Sequence, residues 1–308
     1  MYTELRMRNM QKYTTSPFGS REENTISQIE SMFSEIIEWN NSLEIPIIIS
    51  LKNNALRKII RCFFYAAKRS VAIGFAGETA SGKTTIANEI INALKQFGEE
   101  QSIRNFITKI NMDNYYYDRS KEVIAAGSFD KFVENYDLDS PTAFELDLFA
   151  KHLDELKAGN HVLLPEYDMS GTAKRWDNKI PASPSQIIVT EGLYTFTEVV
   201  DNCFDIKFYV DIDEDVQKAR WYRRAKERDL GASADRVYNN ALSKAKIYIR
   251  PTKNNADVIL NGEASIESYK VFIEMVVEKL RGIRTLNSRE RLELVRSEYE
   301  ILCFCRYI

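Results

Sequence analysis

Gly77-Glu78-Thr79-Ala80-Ser81-Gly82-Lys83-Thr84 sets two glycines, a lysine and a hydroxyl at the spacing G-x-x-x-x-G-K-[ST], the pattern of a phosphate-binding loop. Glycines let the backbone curl so that successive N–H groups converge on phosphate oxygens, and the positive end of a following helix adds favourable potential there. Lys83 supplies a point charge to the β- and γ-phosphates, and the Thr84 hydroxyl, followed by Thr85, is placed to bind Mg²⁺. The loop follows a β-rich run, Val71 to Ala76, and opens a helical one, Thr84 to Phe97, that Gly98 is expected to stop. That strand-to-helix context gives the motif its mechanics, and a nucleoside triphosphate is the expected ligand.

A phosphate loop does not by itself separate a kinase from a GTP switch or a motor. A guanine-reading N-K-x-D is absent, since Asn178-Lys179-Ile180-Pro181 and Thr252-Lys253-Asn254-Asn255 both fail it. Phosphoryl transfer to a hydroxyl needs a carboxylate near the acceptor and further oxygen ligands for the metal. Asp113 follows the run Ile107 to Met112, and Glu191 follows Ile187 to Thr190. In an open parallel sheet the carboxyl ends of the strands line the ligand crevice, so both acids are expected at the edge that carries the loop.

Short β-rich runs alternating with helical ones from Val71 onward imply βαβ units: an α/β fold with a parallel sheet covered by helices on both faces. Further strands are expected at His161 to Leu164, Ile206 to Val210 and Asp257 to Leu260. Helices are expected at Ala143 to Leu156, Glu214 to Glu227, Ala234 to Ile249, Ile266 to Arg281 and Ser288 to Glu300. Ahead of the core, Ile26, Ile29, Phe33, Ile36 and Ile37 form one helical stripe, and Leu56, Ile59, Ile60, Phe63, Phe64 and Ala67 a second. The run Ile47 to Ile49 separates them.

Composition narrows the partners. The 308 residues carry 42 basic and 45 acidic side chains, a net charge of -3, so no global field favours nucleic acid or an anionic membrane. The most apolar run, Ala55 to Ala67, is broken by Arg57, Lys58 and Arg61 and cannot span a bilayer. Cys62, Cys203, Cys303 and Cys305 show no C-x-x-C spacing, and two histidines are too few for the common zinc sites. Reduced thiols and a cytoplasmic chain are expected.

The same segments resemble the uridine kinase and phosphoribulokinase family of P-loop kinases, most closely its uridine/cytidine kinases. In order, GETASGKTT (77–85) is similar to the family P-loop, INMDNY (110–115) to the segment ending in the catalytic aspartate, and YDLDSPTAFE (136–145) to the segment that holds the acceptor sugar. IVTEGL (188–193) is similar to the strand and glutamate completing the metal site, YVDIDEDVQKARWYRRAKER (209–228) to the helix and lid arginines, and PTKNNADVIL (251–260) to the close of the core. Asp113 is thereby implied as base, with Lys83, Arg220 and Arg224 catalytic. Thr84, Glu191 and Asp113 are implied at the Mg²⁺, and residues 77–85 with Arg228 at the ATP. Asp139, Tyr167, Met169, Thr172, Arg175 and Leu193 are implied at the acceptor. The family's base-reading aromatic and histidine are here Met169 and Thr172, and Trp221 stands where the family has an arginine.

These readings divide the chain into a helical N-terminal extension (1–69), a P-loop kinase core (70–262) and a helical C-terminal extension (263–308). The expected activity is ATP-dependent phosphorylation of a small-molecule hydroxyl, with Mg²⁺, and without nucleic acid or membrane. Two alternatives stay open. One is a kinase for a sugar phosphate or non-pyrimidine nucleoside, with Lys174 and Arg175 holding an acceptor phosphate. The other is a nucleotide-binding regulatory or scaffold protein whose extension binds a partner. The apolar tail YEILCFCRYI (299–308) and the N-terminal stripes need cover, from this chain or from a second copy in a homo-oligomer.

Overall fold

The computed structural model describes residues 33–52, 55, 58, 59, 62, 70–227 and 230–284. Ile26 and Ile29 of the first stripe, most of the second stripe (56–67), Arg228, the expected helix over 288–300 and the tail with Cys303 and Cys305 lie outside the described residues. The chain forms two compact units, residues 42–274 and residues 1–41 with 275–308. In the second, the described helical residues 33–41 meet 275–284 through a Lys279–Glu35 ion pair of 2.6 Å.

The first unit is built on a six-stranded sheet. Its strands are β1 Ile48–Leu51, β2 Val71–Gly77, β3 Ile107–Asn111, β6 Ile187–Glu191, β7 Ile206–Asp211 and β8 Val258–Asn261, in the order β1-β8-β7-β2-β6-β3. All neighbours run parallel except β1, which pairs antiparallel with β8. The run Ile47 to Ile49 therefore does more than separate two helices: part of it forms an edge strand of the core sheet, inside the segment read as an extension. A hairpin of β4 Val162–Tyr167 and β5 Arg175–Ala182 stands apart as a two-stranded sheet.

The helices are α1 Lys83–Glu100, α2 Ser120–Ala126, α3 Phe129–Val133, α4 Leu146–Lys157, α5 Glu214–Glu227, α6 Ala234–Lys244 and α7 Ile266–Arg284. Every residue of β2 and β6 is buried, as expected of central parallel strands covered on both faces. Ala72 and Ala76 of β2 share a core with Phe149, Leu153 and Leu156 of α4. Strand alternation turns Val71, Ile73 and Phe75 to the other face, and α1 packs on β2, β3 and β6 as well.

Gly98 does not stop α1, which continues to Glu100. A Cβ at Gly98 would stand 2.7 Å from Phe106, so the glycine lets the Phe106 ring rest on the helix backbone. Gly159, at φ +91°, does follow the last turn of α4. The expected helix over 234–249 is continuous but changes pitch, with a π-helical turn at Ala245–Ile249 after α6. A 3-10 turn, Arg250–Asn255, follows it.

Candidate active site

The phosphate loop joins the end of β2 to α1. Ala80 at φ +59° and Gly82 at φ +95° give the curl, and the Gly82 carbonyl accepts the N–H of Ile86 at 3.0 Å as α1 begins. The N–H groups of the first helical turn have no partners within the helix and face back toward the loop. Gly262, just past β8, is part of the same construction: a Cβ there would lie 2.2 Å from the Ser81 carbonyl oxygen. Only glycine lets these two backbones approach so closely.

The two acids arrive on neighbouring strands. Glu191 ends β6, with Phe75 of β2 on one side in register and Asn111 of β3 on the other. Its carboxylate, 5% exposed, accepts the Thr84 hydroxyl at 2.9 Å across 107 positions of sequence. Asp113 stands two residues beyond Asn111, in a 3-10 turn (Met112–Tyr115) that Asn111 caps by accepting the Asp113 N–H at 3.0 Å. The register thus places Glu191 and the turn carrying Asp113 along one sheet edge, and the hydrogen bond joins Thr84 to it.

Beside the loop lies a cavity of about 440 Å³ whose lining includes Gly82, Thr85, Arg220, Arg223, Arg224 and Tyr269. The three arginines project from α5, which is anchored by Trp221 and Ala225 packing with Tyr238 of α6. Trp221 is therefore a core residue, and Arg223 is a third arginine at the cavity. Arg220 also donates to the Gly262 carbonyl at 2.8 Å. Glu78, though inside the motif, turns its side chain away from this cavity to pair with Arg250.

A second group of residues surrounds Asp139. Asn240 of α6 donates to Asp139 at 2.9 Å and to Asp137 at 3.0 Å, and the Tyr194 hydroxyl donates to the Asp139 backbone carbonyl. Burial, with Asp137 adding repulsion against the Asn240 hydrogen bond, pushes the Asp139 carboxyl above its ordinary value. Tyr116 joins this group although nothing in the sequence singles it out. Burial first, then the charges of Asp113 and Asp139, push its phenol well above the ordinary value, so it lies within the field of both acids. Its ring packs against Phe144 and Tyr167, with centroids at 3.9 and 4.9 Å, and the Tyr167 phenol is itself raised to about 12, chiefly by burial.

The remaining expected acceptor residues are dispersed. Met169 is 63% exposed, and Thr172 spends its hydroxyl on Asp168 at 2.5 Å in the same turn. Leu193 packs against the main core. Arg175 is engaged by Glu145 at 2.8 Å and Asp177 at 2.9 Å, and it donates to the Tyr116 carbonyl at 3.2 Å. It braces the aromatic segment from behind. Lys174 sits over the Trp176 ring at 4.9 Å.

A parallel sheet with a phosphate loop on a central strand, acids on the adjoining strand ends and arginines on a covering helix is a P-loop kinase. Residues 72–265 match the phosphoribulokinase / uridine kinase family, and the chain belongs to that family. A uridine kinase of Clostridium novyi (strain NT) is 34% identical over 225 residues, covering 71% of this chain and 99% of the relative. One of Staphylococcus aureus (strain JH9) is 35% identical over 223 residues, covering 70% and 98%. Among solved structures, phosphoribulokinase from Rhodobacter spheroides aligns over 63% of this chain and 70% of its own, with a TM-score of 0.45 and 16% identity.

Proposed function

We propose that this chain transfers the terminal phosphoryl group of ATP to a hydroxyl of a pyrimidine nucleoside, uridine being the first candidate. The Thr84–Glu191 hydrogen bond carries the reading, because it sets an acid from a different strand against the first helical residues of the phosphate loop. The Clostridium novyi and Staphylococcus aureus relatives are uridine kinases, aligned over nearly their whole length.

The chemistry follows from placement. Loop N–H groups and Lys83 hold the β- and γ-phosphates, Arg220 and Arg224 cover the charge that spreads over the transferring group, and the cavity by Gly82, Thr85 and Tyr269 receives the nucleoside end of the donor. Asp139 and Asn240 orient the acceptor's hydroxyls, and the Tyr116 and Tyr167 rings offer an apolar wall. Asp113 takes the proton of the attacking hydroxyl as its oxygen bonds to the γ-phosphorus. The bond from that phosphorus to the β,γ-bridging oxygen breaks, and ADP departs.

A hydroxyl and a carboxylate within one hydrogen bond of each other are hard oxygen donors that fit Mg²⁺, with Asp113 close by along the sheet edge. Among the described residues, no group of three or more His, Cys, Asp or Glu side chains could hold a metal alone. That suits an ion that takes the rest of its ligands from phosphates and water. When bound, Mg²⁺ neutralises charge on the phosphate oxygens.

The sugar-phosphate reading is weakened, since one of its two cations, Arg175, is taken up by Glu145 and Asp177. The test is ADP release over nucleosides, sugars and sugar phosphates, with Asp113→Asn as control. Turnover above the control on uridine or cytidine is expected. Nucleotide binding without acceptor-stimulated turnover would overturn the reading in favour of a sensor.

A further inference from the structure

Glu78 lies in the phosphate loop yet is only 7% exposed, and its carboxylate faces the protein. Oε1 accepts from Nε of Arg250 at 2.5 Å, and Oε2 from Nη2 of Arg250 at 3.2 Å and from Nε2 of Gln217 at 3.5 Å. Gln217, 1% exposed, also donates to the Thr79 carbonyl at 3.1 Å and accepts the Tyr238 hydroxyl at 3.2 Å. Arg250 reaches on to Glu214 at 2.9 Å. Loop, α5, α6 and the turn after the π-helical segment thus meet in one polar cluster, buried at Glu78 and Gln217 and open to solvent at Arg250 and Glu214.

Glu214, Gln217, Arg220 and Arg224 are spaced by three, three and four residues, which is one stripe along α5. Gln217 holds the crest of the loop, Glu214 holds Arg250, and the last two line the cavity. We propose that Glu78, Arg250 and Gln217 are positioning residues: a strut that fixes α5 against the phosphate loop and so sets where Arg220 and Arg224 stand at the terminal phosphate. The inference rests on the phosphotransferase reading and adds to it a route by which residues outside the cavity control the arginines. With the Arg250 side chain 34% exposed, the pair is partly screened by solvent and contributes little net stability. Holding an angle between two elements is a use that such a directional, bidentate pair serves well.

The effect is read as a ratio of turnover numbers. Glu78→Gln and Arg250→Lys each keep the size of the side chain. Each is expected to lower kcat roughly tenfold or more, in line with the sensitivity of transfer to small misplacement, with the ATP dissociation constant within about threefold of the parent. Each is then combined with Arg220→Ala/Arg224→Ala. A strut that acts through the arginines loses its effect once they are gone, whereas a general loosening of the fold multiplies with it. The same ratios taken from slow ATP hydrolysis without acceptor separate the two claims. A parent inactive on every nucleoside refutes the acceptor assignment, while the hydrolysis ratios still decide the strut. Parent-like kcat in both single variants, losses that multiply in the arginine-less background, or losses confined to ATP affinity would each overturn it.

Discussion

The donor half and the acceptor half of the site are held by different means. On the donor side, Gly262 closes on the Ser81 backbone, Arg220 bonds the Gly262 carbonyl, and Glu78 is clasped by Arg250 and Gln217. Backbone geometry and paired charges fix each group from several elements at once. On the side proposed for the acceptor, the walls are aromatic rings from separate segments, Tyr116, Phe144 and Tyr167. The nearby turn at 168–172 satisfies its own polar groups and leaves Met169 in solvent. The contrast teaches that the phosphate side is set by backbone contacts and paired charges, while the side proposed for the acceptor is set by side chains brought from separate elements, Tyr167 from β4 and Asn240 from α6.

The contrast breaks first at Asp113, where donor meets acceptor. Asp113→Asn is expected to lower turnover by roughly 10² to 10⁴ with ATP affinity unchanged in calorimetry. Next, Arg220→Ala/Arg224→Ala is expected to cost about 10² to 10³ in kcat, and steady-state kinetics would show it without a matching rise in the acceptor KM.

Asp139 sharpens the acceptor side through pH. Its carboxyl is raised by burial, so the charged form that accepts from acceptor hydroxyls is lost as pH falls through a pKa above the ordinary carboxyl value. The acceptor KM should rise on acidification. The sign for stability is opposite: the folded state binds the proton more tightly than the unfolded one, so the cost of the buried charge is full above the raised pKa and is relieved as pH falls through it. Asp139→Asn should raise the acceptor KM by roughly ten- to a hundredfold, the loss of a hydrogen bond to a charged group. It should also flatten that KM–pH profile and leave thermal stability at alkaline pH equal or higher.

Two smaller effects test the two halves against each other. Gly262→Ala forces a Cβ into the Ser81 carbonyl, and overpacking of about 1 to 3 kcal/mol should appear as weaker ATP binding in fluorescence titration. Met169→Ala, on the exposed turn, should stay within about twofold of the parent in every kinetic parameter. A larger change at Met169 than at Gly262 would invert the comparison.

The donor half is the more legible in sequence because its chemistry is local. The loop motif adjoins its strand and its helix in the chain, each acid adjoins a strand end, and strand and helix follow from period and spacing. What escapes has no local signature. The Glu78–Arg250 pair spans 172 positions. Tyr115, Tyr116 and Tyr117 are consecutive, yet the first is wholly buried, the second packs its ring against Phe144 and Tyr167 and the third is exposed. β5 leaves no trace in the pattern because a two-stranded hairpin open to solvent lacks apolar alternation, and its residues include Asp177, Asn178 and Lys179. β1 is a four-residue edge strand, too short to declare a period. Gly98 reads as a stop by its type, whereas its role is set by Phe106 packing from outside the helix.

The most direct measurement is a single turnover with ATP labelled in its γ-phosphoryl group, enzyme in excess, with uridine and Mg²⁺. The account predicts that the label moves to uridine as a phosphate ester in the parent protein, and that Asp113→Asn, binding ATP equally well, slows the transfer by at least about a hundredfold. Label that stays on bound ATP in the parent, or that moves at the same rate in both proteins, would contradict it.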